Sequence, residues 1–336
     1  MISNHIDRRR FLSRAGALAA ASMSGCSAPT HAEPPPEVKT IRLANLPAVC
    51  LAFGYLAEDI LRAEGFEAIE YVDISVNAIT NYINSGAVDI WVDAAPGLVN
   101  ALDSTSASIV LGGIHSGCYE LFANTRVDAV RDLKGKSVSI SGYGSTEHVF
   151  LSSIAAYLGM DPRRDIVWKP SAGPRAALQA FIEGKADAYL GFAPHPHELR
   201  ALKIGHVILN TTQDKPWSQY FCCMVTANRK FVRDNPVAAK RALRAFLKAA
   251  DICAEDPARA ARLMVERGHD NDYARARAIL SELPYKRWRD TNPEDTLRFH
   301  ALRLHEVGMI KTNPNALIAR STDWRFLNEL KRELRT

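Results

Sequence analysis

The chain has 336 residues, 47% of them hydrophobic and 24% charged, with 42 Lys plus Arg against 37 Asp plus Glu and a formal net charge of +5 at pH 7. That composition excludes a disordered or collagen-like chain, and no apolar stretch approaches the roughly 18 residues that a membrane-spanning helix needs. The modest charge, without interleaved basic and aromatic residues, argues against nucleic acid as a partner, and the length points to two lobes of about 100 to 200 residues each.

A leader comes first. Asp7-Arg8-Arg9-Arg10-Phe11-Leu12, a mildly apolar run from Ala15 to Met23 and the spacer Pro34-Pro35-Pro36 read as an export peptide and spacer over 1–37, and the paired arginines resemble a twin-arginine signal. Two cleavage sites stay open. Met23-Ser24-Gly25-Cys26 resembles a lipoprotein box that would place a lipid on Cys26, and Thr30-His31-Ala32 suits a conventional signal peptidase. A periplasmic protein, free or lipid-anchored, is expected.

The body alternates extended and helical stretches. A strand over 41–44 ends in a loop, a helix over 51–64 carries apolar residues at three- and four-residue spacing, and a strand over 69–74, a helix over 76–84 and a strand over 88–92 follow. A turn at 95–97, a helix to 102 and a strand over 108–111 complete the first half. The pattern restarts with a strand over 138–141, a turn over 142–146, a helix over 149–158, a strand over 166–168 and a helix over 175–183. Strands over 188–191, 207–209 and 221–227 come next, and helices over 238–254, 257–267, 273–280 and 295–306 close the chain. Alternation of this kind predicts parallel sheets covered by helices.

Four pieces in order carry a family resemblance: Asp132-Leu133-Lys134-Gly135-Lys136-Ser137-Val138, the turn over 142–146, Phe181-Ile182-Glu183-Gly184-Lys185-Ala186-Asp187-Ala188, and Asn235-Pro236 ahead of the helical stretch 239–250. Over about 40–267 the chain resembles the solute-binding proteins of nitrate, sulfonate, taurine and thiamin-pyrimidine-precursor ABC importers, the SsuA/NMT1-like family. The resemblance implies an α/β, two-lobed periplasmic-binding-protein type II fold with a helical C-terminal extension. Lobe one is expected from 38–124 and 225–336 and lobe two from 125–224, with crossings near 122–126 and 224–228. A monomer without cofactor is expected, one that captures a small organic solute, heteroaromatic or sulfonated, between the lobes by hinge closure and serves an ABC permease in the inner membrane.

Ligands of parallel sheets sit outside the carboxyl ends of the strands, which selects the loops 45–50, 93–97, 115–120, 142–148, 192–198 and 217–220. The candidate contacts are Asn45, Leu46, Pro47, Asp93, Ala95, Pro96, His115, Ser116, Cys118, Tyr119, Tyr143, Gly144, Ser145, Thr146, His148, Phe192, Pro194, His195 and Tyr220. In the turn over 142–146, backbone N–H groups, two hydroxyls and a positive helix end suit a carboxylate, sulfonate or phosphate; helix capping by Ser145 or Thr146 is the plainer role. The turn lacks the third glycine of a dinucleotide fingerprint. None of these loops contains Lys or Arg, which disfavours nitrate and doubly charged phosphate; Arg175, at another helix start, is the one cation in reach. Tyr119, Tyr143, Phe192, Trp217 and Tyr220, together with His115, His148, His195 and His197, suit a flat organic molecule that is neutral or weakly charged. Trp91 reads as core.

Other chemistries are weighed against this. His195, His197 and Glu198, His148 with Glu147, and His115 with Cys118 are metal-ligand types on several loops, but no metal site is expected. Cys50, Cys118, Cys222, Cys223 and Cys253 show no zinc-ribbon or thioredoxin spacing and read mostly as small buried hydrophobes. Cys118 with Cys222 or Cys223 flanks the expected crossings, where a disulfide would restrain closure. The family includes a yeast enzyme that makes the thiamin pyrimidine from its own histidine and has a cysteine-rich run where this chain has Phe221-Cys222-Cys223-Met224. Here Gly97 or a neighbour stands in place of that histidine, and no nucleophile-elbow or zinc-protease spacing appears. The chain is therefore not expected to be an enzyme; a synthase-like or metal-dependent enzyme and a non-transport sensor domain are the alternatives.

Overall fold

A computed structural model describes residues 33–75 and 78–335. The expected export signal and the possible lipid site Cys26 lie outside the described residues. Among the described residues no helix is long and apolar enough to cross a membrane.

In the first half, short apolar runs form β1 (Thr40–Asn45), β2 (Ala68–Asp73), β3 (Ile90–Ala94) and β4 (Ser108–Gly113). β1 pairs in parallel with β2. It also lies beside β3, where the Asp89 N–H donates to the Arg42 carbonyl at 2.9 Å and the Asp89 carboxylate accepts from the Arg42 backbone N–H at 2.8 Å. The gap between β3 and β4 is filled by β10 (Cys223–Asn228), antiparallel to both. The second sheet runs β7 (Ile166–Pro170), β6 (Lys136–Ile140), β8 (Ala188–Phe192), β5 (Tyr119–Ala123), β9 (His206–Asn210).

Each sheet thus contains a strand delivered from the other lobe, and that strand runs against its neighbours. β5 is antiparallel to β8 and β9 as β10 is to β3 and β4. The expectation of wholly parallel sheets is corrected by this geometry. The crossings also move. The chain leaves the first sheet after Gly113 and enters the second at Tyr119, ahead of the expected 122–126, and it returns into β10 at Cys223 rather than over 224–228. β5 itself was not anticipated, since all five of its residues are buried and show no alternation.

Helices cover the sheets. α1 (Ala52–Ala63), after a 3₁₀ turn over Val49–Leu51, α2 (Ile79–Ser85) and α3 (Ala95–Leu102) serve lobe one. α4 (Thr146–Tyr157), α5 (Pro162–Asp165), α6 (Pro174–Ile182) and α7 (His195–Leu202) serve lobe two. α7 occupies a stretch expected to be loop; its His195-Pro196 opening puts proline at a first-turn position, where its missing N–H costs nothing. After β10 come α8 (Arg229–Asp234), α9 (Pro236–Glu255), α10 (Pro257–Glu266), α11 (Tyr273–Glu282), α12 (Pro293–Glu306), α13 (Pro314–Ser321) and α14 (Arg325–Glu333). Asn228, Asp256 and Asp272 cap α8, α10 and α11 by accepting from main-chain N–H groups in the first turn.

The core of lobe one centres on Trp91, fully buried and edge-on to Tyr55 and Phe246 at 5.8 Å each. The apolar interior continues into lobe two without a break, and α12 is one reason. It packs on α3 of lobe one and on α4 of lobe two. Phe299 stacks on Tyr220 at 4.3 Å and tilts against Tyr157 at 5.6 Å, while buried His300 places Nδ1 3.2 Å from Ser153 Oγ and meets Phe150 edge-on at 5.5 Å.

Candidate functional site

The carboxyl ends of β1, β3 and β8 converge with the two crossings on a cleft of about 500 Å³, part of it open to solvent. Its lining is mainly apolar: Leu46, Leu51, Ile79, Val92, Tyr119 and Phe192. The polar lining consists of Asp93, Thr146 and four cysteines, Cys50, Cys118, Cys222 and Cys223. Among the described residues no lysine or arginine lines it.

Each part is placed by local structure. Tyr119 opens β5 and Phe192 ends the adjacent β8, in register with it, so their rings meet at 5.7 Å. Asp93 lies on β3, its Oδ2 accepting from the Thr80 hydroxyl at 2.7 Å. Burial lifts its carboxyl to about 6, against the hydrogen bonds from Thr80 and the Ala94 N–H. Thr146 begins α4 and reaches across to lobe one: a Cβ added at Gly97 would lie 2.8 Å from its Oγ1, so only glycine lets the lobes approach this closely.

The two crossings supply the sulfur. The Ile114 and Cys222 N–H groups donate to the Cys223 and His115 carbonyls at 2.9 and 2.8 Å, pinning the two crossing strands together. Cys118 has φ of +88°, left-handed backbone that a non-glycine residue adopts at a cost of about 1–3 kcal/mol. Cys50, His115 and Cys118 bring one donor atom each within 4.8 Å of one another, and so do Cys118, Cys222 and Cys223. His115 is fully buried, with Nδ1 3.9 Å from the Cys118 sulfur and Nε2 lacking a hydrogen-bond partner. Tyr285 backs it edge-on at 4.9 Å and donates its hydroxyl to the Cys50 carbonyl at 2.7 Å. The thiols share protons unequally: hydrogen bonds with Cys118 and Cys223 lower Cys222 to about 6, and those with Cys222, Cys223 and Cys50 push Cys118 up. Burial alone would lower the His115 imidazole, but the Cys223 and Cys50 sulfurs raise it to about 10.

Of the sequence candidates, Leu46, Asp93, Cys118, Tyr119, Thr146 and Phe192 line the cleft. His115 and Ser116 are buried in the outward crossing; Ala95 and Pro96 are buried at the start of α3, where the Ala95 N–H donates to the Cys222 carbonyl at 2.7 Å. Asn45 is turned to Asp73, and Pro47 is exposed. Tyr143 is 68% exposed, and Gly144 donates its N–H to His148 Nδ1. His148 packs on Trp168, and Tyr220 on Phe299. Ser145 is buried as the N-cap of α4 but makes no side-chain capping bond. Pro194 precedes α7, and the His195 Nδ1 lies 2.6 Å from the Tyr189 hydroxyl. Arg175 pairs with Glu198 instead of entering the cleft. Cys50, Cys222 and Cys223, which are not among the sequence candidates for ligand contact, also line the cleft. The available signal was that each lies at a strand end or a crossing.

Residues 117–266 match the model of the NMT1-like family. No curated protein matches the sequence. Solved structures do. The alkanesulfonate-binding protein SsuA of Xanthomonas axonopodis pv. citri, bound to MOPS, aligns with a TM-score of 0.70 at 16% identity over 87% of this chain and 99% of its own. The fold is that of the periplasmic solute-binding proteins. The nitrate-binding protein NrtA of Synechocystis PCC 6803 aligns at 0.75 with 15% identity over 90% of each chain. The ligand-binding component of an ABC-type import system from Staphylococcus aureus, with zinc bound, aligns at 0.69 with 11% identity over 87% and 99%. The resemblance read from the sequence holds, and the two-lobed architecture with its helical C-terminal extension is this fold.

Proposed function

We propose that the protein is the periplasmic, monomeric solute receptor of an ABC importer, and that it holds a small organic solute between its lobes for an inner-membrane permease. The observation that carries this reading is the cleft itself, placed at the carboxyl ends of strands from both sheets, with Tyr119 and Phe192 forming an aromatic wall beside an apolar floor. A flat, weakly polar heteroaromatic solute suits such walls better than a sulfonate does. The turn over 142–146 that would receive an anion holds a buried carboxylate of its own: Glu147 Oε1 accepts from the Ser141 N–H at 2.6 Å. Among the described residues no lysine or arginine lines the cleft to offset a second negative charge.

The test is a melting-temperature screen of the full chain against thiamin pyrimidines, flavin-like heterocycles, aromatic acids, and alkyl and aryl sulfonates. A ligand at about 100 times its Kd stabilises the folded state by about 2.7 kcal/mol, readily seen as a shift. A shift with one heterocycle class that Phe192→Ala abolishes is expected. Stabilisation by sulfonates alone would overturn the choice of solute, and no shift with any compound would overturn the receptor reading.

A further inference from the structure

The cysteines at the floor of the cleft remain unexplained by an organic solute. Cys50 comes from the loop after β1, His115 and Cys118 from the outward crossing, and Cys222 and Cys223 from the return, so three separate chain segments deliver sulfur or imidazole to one place. Cys253, the remaining cysteine of the described body, is buried in α9 and takes no part in either trio.

The spacing fits metal coordination. In a tetrahedral zinc site with Zn–S near 2.3 Å and Zn–N near 2.0–2.1 Å, two sulfurs stand about 3.7 Å apart and a sulfur and a nitrogen about 3.6 Å. Here the Cys118 sulfur and His115 Nδ1 are 3.9 Å apart, and all donors within each trio lie inside 4.8 Å. Rotamer adjustments of under about an ångström would close either trio on an ion. The donor set is sulfur and imidazole without a carboxylate, which selects soft cations over Mg²⁺ or Ca²⁺. A second observation points to a ligand independently of the sulfurs. His115 is fully buried: its Nδ1 lies 3.2 Å from the Ser116 carbonyl, whereas its Nε2 has no hydrogen-bond partner, which a buried ring nitrogen ordinarily finds. The left-handed backbone at Cys118 holds in place the one sulfur common to both trios.

We propose that Cys50, His115, Cys118, Cys222 and Cys223 form a binding site for one thiophilic cation of the Zn²⁺ and Cu⁺ class, with Cys118 as the shared ligand. The site occupies the cleft assigned above to the solute, so the inference rests on that reading where it names the cargo, a soft cation or its organic chelate; the metal site itself stands on the cluster alone.

The experiment is a Zn²⁺ titration of the full chain, reduced with a phosphine under argon, in competition with a chromophoric chelator. Co²⁺ serves as the spectroscopic probe and Mg²⁺ as the control. One Zn²⁺ per chain, thiolate-to-cobalt charge-transfer bands and no response to Mg²⁺ are expected. Cys118→Ser is expected to weaken Zn²⁺ binding roughly a hundredfold or more, beyond what loss of an outer-sphere partner costs, and Cys253→Ser to leave it unchanged. Cys50→Ser and Cys222→Ser, each checked for native melting before titration, replace Cys118→Ser if that variant does not fold. Absence of Zn²⁺ binding, or equal affinity in the wild type and the folded cluster variants, would overturn the site. The organic screen separates the two readings. A heterocycle shift without Zn²⁺ binding removes the metal site and leaves the receptor, whereas Zn²⁺ binding without any organic shift keeps the metal site and removes the receptor.

Discussion

Replacing His300 with glutamine should remove a defined share of the protein's acid sensitivity. His300 on α12 is buried, faces Ser153 Oγ of α4 and lies edge-on to Phe150 and Phe299, and burial pushes its imidazole down to about 3. The unfolded chain, with an ordinary value near 6.5, therefore binds a proton that the folded chain refuses. Stability from this group is complete above about pH 7, and it is lost as pH falls through the unfolded value and on towards the folded one. Between about pH 7.5 and about pH 5 the loss is roughly 2 kcal/mol, fixed by the unfolded-chain value because the buried ring stays neutral over the whole interval. His300→Gln keeps a polar partner for Ser153 and cannot titrate. Urea unfolding of both proteins at the two pH values gives the double difference, in which His148, His195, His197 and His269, all lowered by burial, cancel. Wild type should lose about 2 kcal/mol more than the variant over that interval. An equal loss would refute the reasoning that α12 holds a neutral imidazole between the lobes.

Three further outcomes follow from single residues. Gly113→Ala places a Cβ 2.4–2.7 Å from the Phe221 ring, and the overpacking should cost about 1–3 kcal/mol in urea unfolding and disturb Cys222 next to it. Trp91→Ala empties the centre of lobe one and should cost about 3–5 kcal/mol by the same assay. Burial would raise the Asp187 carboxyl, but Ser137, Asn124 and Arg126 lower it to about 2. Its contribution is therefore present above about pH 4 and lost as pH falls towards 2; Asp187→Asn should remove about 2 kcal/mol at neutral pH and flatten the unfolding profile in that acid window.

Much of the framework was legible because the sheets are built from runs whose period and punctuation are local. β1, β3, β6 and β8 and the helices covering them follow from apolar spacing and from Gly or Pro at their ends. β5 was not, because Tyr119 to Ala123 is wholly buried and its one charge, Glu120, is hidden in a pair with Arg200 on α7. That pair is a tertiary fact with no trace in the spacing. The same applies to the cleft. The loops that form it are legible from the strand ends, but which side chains of those loops turn inward is not: the rings of Tyr143 and Tyr220 pack on His148 and Phe299. The cysteines show the opposite failure: Cys50, Cys118 and Cys222 are too far apart in sequence for any motif, and only the folding-back of the two crossings makes them neighbours.

The seam along α12 sets a clock as well as a shape. Parting the lobes there would bare Phe150 and Phe299, both nearly buried now, at about 1.5–3 kcal/mol for each ring. An open form roughly 4 kcal/mol uphill is present in about one molecule in a thousand. If passage into or out of the cleft waits for that form, exchange is throttled by the same factor, whatever the affinity of the closed site. Such a receptor would release its load on the schedule of whatever prises α12 away, and dwell time would be the quantity tuned by mutations along that seam.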